Sequence, residues 1–370
     1  MDKIDLLDAK ILENLYNTTN ISEIARRIGV SDETVRRRIQ KLYKYGRVVI
    51  EPNYFALGLS YAAYISNWPS EHTIRLLEEC YARGILRLIT PKGYKIFLTL
   101  IPPLDSEVTI RVILEKLLGP GEYIPLKNPI KWRPLAKFFN MNTQTFEYSW
   151  NEFIKGILNG EIPYVDKLNE NEITSKRLLD PIDLAIIEEF QIDALTPLTK
   201  IARELGIYQQ KLWYHYSKHV KPIIRHNDVN IAFLPLNEAP ATLHRIKFSN
   251  YEGLTRFASL SKYNPFIRAI MPSRYQLEVL LVAQFPIIQF MHFTKILTTL
   301  YEVNIIKDYK WVGFIDPNFI RAYTVPKELF VEGKWIIKKN VLEFAQAQLQ
   351  GTSKRTIKTF LKWKRYRHRL

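Results

Sequence analysis

The sequence predicts an α+β protein that repeats one architecture and ends in a basic tail, and three observations predict it. Short stretches recur in the same order at a nearly constant offset: Ile24-Ala25-Arg26-Arg27-Ile28-Gly29 returns as Ile201-Ala202-Arg203-Glu204-Leu205-Gly206, Arg87-Leu88-Ile89-Thr90-Pro91-Lys92-Gly93-Tyr94 is echoed by Arg268-Ala269-Ile270-Met271-Pro272-Ser273-Arg274-Tyr275, and Lys131-Trp132 by Lys310-Trp311. Each half opens on a helical apolar pattern, LLDAKILENL in one and PIDLAIIEEF in the other. Lys and Arg outnumber Asp and Glu to a formal net charge of +16, so the chain is attracted to polyanions, and salt weakens that attraction.

At 370 residues the chain can build two or more domains with cores of their own. Nucleic acid is the polyanion its charge favours, with an anionic membrane surface as the competitor. Cys80 is the single cysteine, which excludes an internal disulfide and a cysteine-based zinc site. The opening MDKIDLLDAK carries charges where a signal peptide needs an apolar core, so a reducing, cytoplasmic setting is expected. The most apolar stretch, residues 275–293, is broken by Glu278, Gln284, Pro286 and Gln289 and reads as a buried strand plus helix, not a membrane span.

In the first half Leu7, Ile11, Leu12 and Leu15 form one helical stripe. Ser22 is placed to cap a second short helix that buries Ile24, Ala25 and Ile28, and Gly29 permits a sharp turn. Ser31 is placed to cap a third helix, in which Val35, Ile39 and Leu42 face inward while Arg36, Arg37, Arg38, Gln40 and Lys41 point elsewhere. Three helices in this order read as a helix-turn-helix whose last helix enters the major groove of duplex DNA. Ser31, Glu33, Thr34, Arg36, Arg37, Arg38, Gln40 and Lys41 are the expected contacts, because an arginine fork binds guanine or phosphate at two points. After Gly46, the run Arg47-Val48-Val49-Ile50-Glu51-Pro52 reads as a strand and wing, with Arg47 a further contact.

The run IARRIGVSDETVRRRIQKLYKYGRVV, followed by NYFALGL, resembles the winged helix and exit hinge of the Lrp/AsnC (leucine-responsive/asparagine-responsive) regulators. That resemblance implies two winged helix-turn-helix units, each followed by a ferredoxin-like βαββαβ domain, where periodicity alone supports only an α+β domain. The expected boundaries are a first head at 1–58, a βαββαβ domain at 59–133 and a linker at 134–176. They continue with a divergent second head at 177–236, a second βαββαβ domain at 237–315 and an extension at 316–370. In the second head Trp213, Tyr214 and His215 stand where the first has its three arginines. Gln209, Gln210, Lys211, Tyr214 and Lys218 are candidates for DNA contact there, and a packed, retired helix is the competing reading. Similar regulators dimerise through the βαββαβ domains, so two copies in one chain imply an internal pseudo-dimer, alone or as a homodimer. Its chemically different heads point to an asymmetric target.

The resemblance also bears on ligands. Amino-acid-responsive relatives carry a Gly-x-Tyr-Asp-like stretch, whereas Gly93-Tyr94-Lys95 and Arg274-Tyr275-Gln276 lack the acidic position. Tyr94 and Tyr275 are therefore expected to be packed strand residues, and a small effector of another kind stays open. The tail SKRTIKTFLKWKRYRHRL interleaves aromatics with cations and has no acid, a composition suited to phosphate contact. No Gly-rich phosphate loop, nucleophile elbow or metal-ligand cluster is visible. His215 and His219 have metal-pair spacing without HExxH context, so structural or DNA-facing roles are expected, with no metal, no cofactor and no enzymatic activity.

The expected function is sequence-specific DNA binding in transcription regulation. A sequence-tolerant architectural protein that coats DNA is one alternative. The other is an enzyme like the siroheme decarboxylases, which resemble the Lrp/AsnC family and use paired copies of its architecture. Arg87, Arg268 or His244 would face the acidic tetrapyrrole in that case.

Overall fold

The computed structural model describes residues 4–160, 179–231, 234 and 239–343. The basic tail lies outside the described residues, as does the end of the expected linker. No helix among the described residues is long and apolar enough to cross a membrane.

The first three helices follow the apolar pattern. Helix α1 (Leu6–Leu15) begins at a capping box in which the side chains of Asp5 and Asp8 each accept the other's backbone N–H. Helix α2 (Ile21–Ile28) is capped by Asn20, not by Ser22, which is left free to donate to Asp32 at the start of the next helix. Gly29 then takes φ 81°, a left-handed conformation that a side chain would disfavour. Helix α3 (Asp32–Leu42) is capped by Ser31 and buries Val35, Ile39 and Leu42.

Strand β1 (Gly46–Pro52) does not fold back into a wing. The chain continues through β2 (Tyr61–Asn67), α4 (Glu71–Glu78), β3 (Ala82–Thr90), β4 (Gly93–Leu100), α5 (Glu107–Leu118), β5 (Glu122–Leu126) and β6 (Ile130–Lys131). Segment 134–160 contains structure where a linker was expected: β7 (Phe139–Asn140), β8 (Thr145–Phe146) and α6 (Trp150–Asn159). The reason is aromatic content, since Phe139, Phe146, Trp150 and Phe153 are all buried.

A second run of helices, α7 (Pro181–Ile192), α8 (Leu198–Leu205) and α9 (Gln209–His215), passes into a π-helical turn over Tyr216–Val220 and then β9 (Ile224–Ile231). The rest comprises β10 (Ala241–Phe248), α10 (Tyr251–Ser261), β11 (Ile267–Pro272), β12 (Glu278–Gln284), α11 (Ile287–Glu302), β13 (Ile306–Ala322), β14 (Phe330–Val331) and β15 (Lys334–Trp335).

One nine-stranded sheet runs β5-β2-β4-β3-β13-β10-β12-β11-β6. Strands β3 and β13 meet antiparallel, with Phe314 opposite Ile89 and Ile320 opposite Leu86, so the sheet passes from the first half of the chain into the second without an edge. Beneath the second half Trp150 and Phe153 of α6 join Phe257 of α10 and Phe293 of α11 in a core of their own. Of the 275–293 stretch, β12 is buried as expected, whereas Ile287 at the start of α11 is exposed.

A separate two-stranded ribbon pairs β1 with β9, Val48 opposite Val229 and Gly46 opposite Ile231. This replaces the expected wing, because Val48, Ile50, Val229 and Ile231 all need burial and find it by facing one core together. Gly46 permits the close approach: a Cβ there would lie 1.9 Å from the Asn230 carbonyl oxygen. Tyr43 donates from its hydroxyl to Asp193 Oδ1 at 2.6 Å, and the Asn227 amide donates to the Leu15 carbonyl at 2.7 Å, which locks the two helical heads together.

Candidate nucleic-acid interface

On α3 the capped first turn leaves Ser31 and Glu33 exposed and Thr34 half-buried. One turn on, Arg36, Arg37 and Gln40 stand exposed. The expectation of three free arginines is corrected for the third. Arg38 Nη1 donates to Asp5 Oδ2 at 2.6 Å and lies 3.3 Å from Asp8 Oδ1, and Lys41 Nζ is 3.2 Å from Asp8 Oδ2. Asp8 is fully buried, and an isolated carboxylate there would be costly without partners, so the helix turns these two cations inward. Burial alone would raise the Asp5 carboxyl, but the Asp8 N–H and the Arg38 guanidinium outweigh it and hold its pKa below the ordinary value. Arg47 is exposed yet committed, lying over the Tyr43 ring and donating to the Tyr43 and Gly46 carbonyls.

On α9 and the π-helical turn, Gln209, Gln210, Lys211, Tyr214 and Lys218 are all exposed, as is Trp213. His215 and His219 turn the other way, toward α7, which sets aside a DNA-facing role for them.

The three side chains expected to serve a tetrapyrrole are not brought together. Arg87 on β3 pairs with Asp316 at 2.6 Å and lies against Trp68, Tyr94 and Phe319. Arg268 on β11, with β13, β10 and β12 between it and β3, donates to the Ile231 carbonyl at 2.9 Å. His244 on β10 is buried between the Thr242 and Tyr309 hydroxyls, and desolvation lowers its pKa to about 4. The expectation for Tyr94 and Tyr275 is also corrected. They are 54% and 76% exposed: Tyr94 on β4 lies beside Arg87, and Tyr275, in the bend between β11 and β12 and not on a strand, lies beside Arg274.

A second charged assembly escaped the sequence reading. His226 stacks on Tyr16 at 4.8 Å, its Nε2 is buried without a hydrogen-bond partner, and burial with Arg225, Lys131, Lys262 and Arg133 holds its pKa well below the ordinary value. Lys131 is 3.3 Å from Asp228 Oδ2. Buried Glu51 has its pKa raised by desolvation and leaves Oε1 without a partner. Residues so far apart in sequence meet only because the β1–β9 ribbon lies beside the β11–β6 edge. No local signal marked them, since Arg133, Arg225 and Lys262 stand far apart in the chain.

Comparison with known proteins defines the class of the first head. Residues 4–43 match the model of the AsnC-type helix-turn-helix domain, which bears out the resemblance read from the sequence. No curated protein matches the chain by sequence. Among solved structures the chain is similar in fold to the crystal structure of the siroheme decarboxylase NirDL, with a TM-score of 0.52 and 11% identity over 93% of this chain and 99% of that one. It is similarly related to the siroheme decarboxylase NirDL in co-complex with an iron-uroporphyrin III analogue, at 0.51 and 10% over 92% and 98%. The expectation that the chain has no enzymatic activity is overturned by this likeness, because the fold shared over 93% of its length is that of an enzyme.

Proposed function

We propose that the chain is a DNA-binding transcription regulator that grips duplex DNA through the exposed face of α3 and works as an intramolecular pseudo-dimer. One observation carries the reading: Arg36, Arg37 and Gln40 stand free on a helix whose neighbouring Arg38 and Lys41 are pinned to Asp5 and Asp8. A braced helix presents the free arginines in a fixed geometry, as groove recognition requires. Ser31, Glu33, Thr34 and Arg47 frame that face.

The second head offers Gln209, Gln210, Lys211, Tyr214 and Lys218, a surface of amides and aromatics. The two heads would therefore read unlike half-sites, held at a constant separation by the β1–β9 ribbon. Footprinting of the full chain on genomic fragments tests this reading. A protected asymmetric operator supports it, whereas protection spread evenly along every fragment supports coating instead.

A second reading is favoured by the assembly around His226. Arg133, Arg225, Lys262 and Lys131 gather more positive charge than Asp228 and Glu51 offset, an environment suited to a polycarboxylate such as an acidic tetrapyrrole. Catalysis on that ligand is compatible with DNA contact through α3. Titration with an iron tetrapyrrole discriminates: a ligand absorbance band lost in Arg225→Ala supports the second reading, and a spectrum identical to that of the free ligand removes it.

A further inference from the structure

We propose that Asp183, His215 and His219 form a binding site for one divalent first-row transition-metal ion of the zinc class, which ties α9 to α7 in the second head. The sequence displays only the two histidines at helical spacing, and the fold supplies the carboxylate. His215 Nδ1 lies 3.0 Å from Asp183 Oδ1, and His219 Nδ1 lies 3.1 Å from both Asp183 oxygens. One ligand atom from each residue falls within 4.8 Å of the others. Asp180 Oδ2 is 3.4 Å from His215 Nδ1 and stands ready as a fourth donor.

Imidazole and carboxylate are the donors that zinc and its neighbours take. A four-coordinate ion with bonds of about 2.0 Å keeps its ligand atoms roughly 3.3 Å apart, so the two separations between Asp183 and the imidazoles need to open by only a few tenths of an ångström.

Asp8 of the first head supplies the contrast. Asp8 and Asp183 occupy the same place in their helices, the third position of a capping box, and both are fully buried. Asp8 is answered by the permanent charges of Arg38 and Lys41. Among the described residues Asp183 pairs with no Lys or Arg, only with the two imidazoles. A buried carboxylate requires a compensating positive charge, and a cation shared by all three side chains supplies it at the one place where both Nδ1 atoms converge.

Two features mark the site as more than packing. The π-helical turn over Tyr216–Val220 carries His219, and such turns recur at functional positions. The His219 side chain is 33% exposed, which leaves an entry path from solvent. The ring of Tyr214, an exposed residue of the same helix as Gln210 and Lys211, stands edge-on to both imidazoles at 5.8 and 5.5 Å. An ion here would therefore hold the outer face of α9 in place.

The test uses the full chain, stripped with chelator and titrated with Co2+, then Zn2+, with Mg2+ as a hard-cation control. The expected result is a visible Co2+ band at one ion per chain, displaced by Zn2+, with a rise in Tm that Mg2+ does not produce. His219→Ala should weaken binding at least about tenfold and abolish the band, while His292→Ala, at an exposed position of α11, leaves both unchanged. Should His215→Gln fail to fold, the His219 variant still decides, because that side chain is partly exposed. No band at one equivalent, or wild-type binding in His219→Ala, overturns the proposal and assigns the cluster to hydrogen bonds between aspartate and imidazole.

Discussion

At the scale of single residues, buried charge decides which side chains are free to act. Arg38 belongs to a run of three arginines in the sequence, and nothing in that run separates it from Arg36 and Arg37. The separation comes from Asp8, thirty positions away, whose burial demands a cation. Arg38→Ala removes one of two partners and should destabilise the fold by about 1–3 kcal/mol, read as a lower Tm. An unchanged Tm would show that Lys41 alone satisfies the aspartate. His244 makes a pH-dependent prediction. Its pKa is lowered from 6.5 to about 4, so between those values the unfolded chain binds a proton that the folded chain refuses. Stability should fall as pH drops from about 6.5 toward 4, by up to about 1.4 kcal/mol per pH unit from this residue. His244→Gln should flatten that limb of the Tm profile, and an equally steep limb in the variant would contradict the assignment.

At the scale of elements, helices were the most legible part of the chain. The stripe Val35, Ile39 and Leu42, the cap Ser31 and the turn at Gly29 all lie within one stretch of sequence, and local chemistry determines each of them. The β1 strand was legible as a strand but not in its pairing, because the choice of β9 depends on a core that two distant segments share. The structured 134–160 segment went unread for a related reason: its strands span two residues each and carry no period, and only the burial of Phe139, Phe146 and Trp150 gives them form. Gly46 tests the ribbon. Gly46→Ala places a methyl against the Asn230 carbonyl, so it should cost about 1–3 kcal/mol and loosen the contact between heads. Limited proteolysis between the heads should accelerate in that variant, and a wild-type cleavage rate would show that the ribbon does not hold them.

At the scale of the whole molecule, an N-terminal helix-turn-helix stands beside one large antiparallel sheet that joins strands from both halves of the chain. The exposed face of α3 was largely readable, whereas the charged assembly at His226 was not, since it is built from β6, β9 and the end of α10 across the fold. The enzymatic likeness was visible only as an alternative, because a fold shared at 11% identity leaves no motif in the chain. The central claim is that the free face of α3 holds duplex DNA. Its most direct test is the fluorescence anisotropy of labelled duplex DNA titrated with the full chain at several salt concentrations, comparing wild type with the Arg36→Ala, Arg37→Ala double variant. The account predicts weaker binding and a salt slope shallower by about two counterions, with the far-UV spectrum intact. Equal affinity and an equal slope in a folded double variant would contradict it.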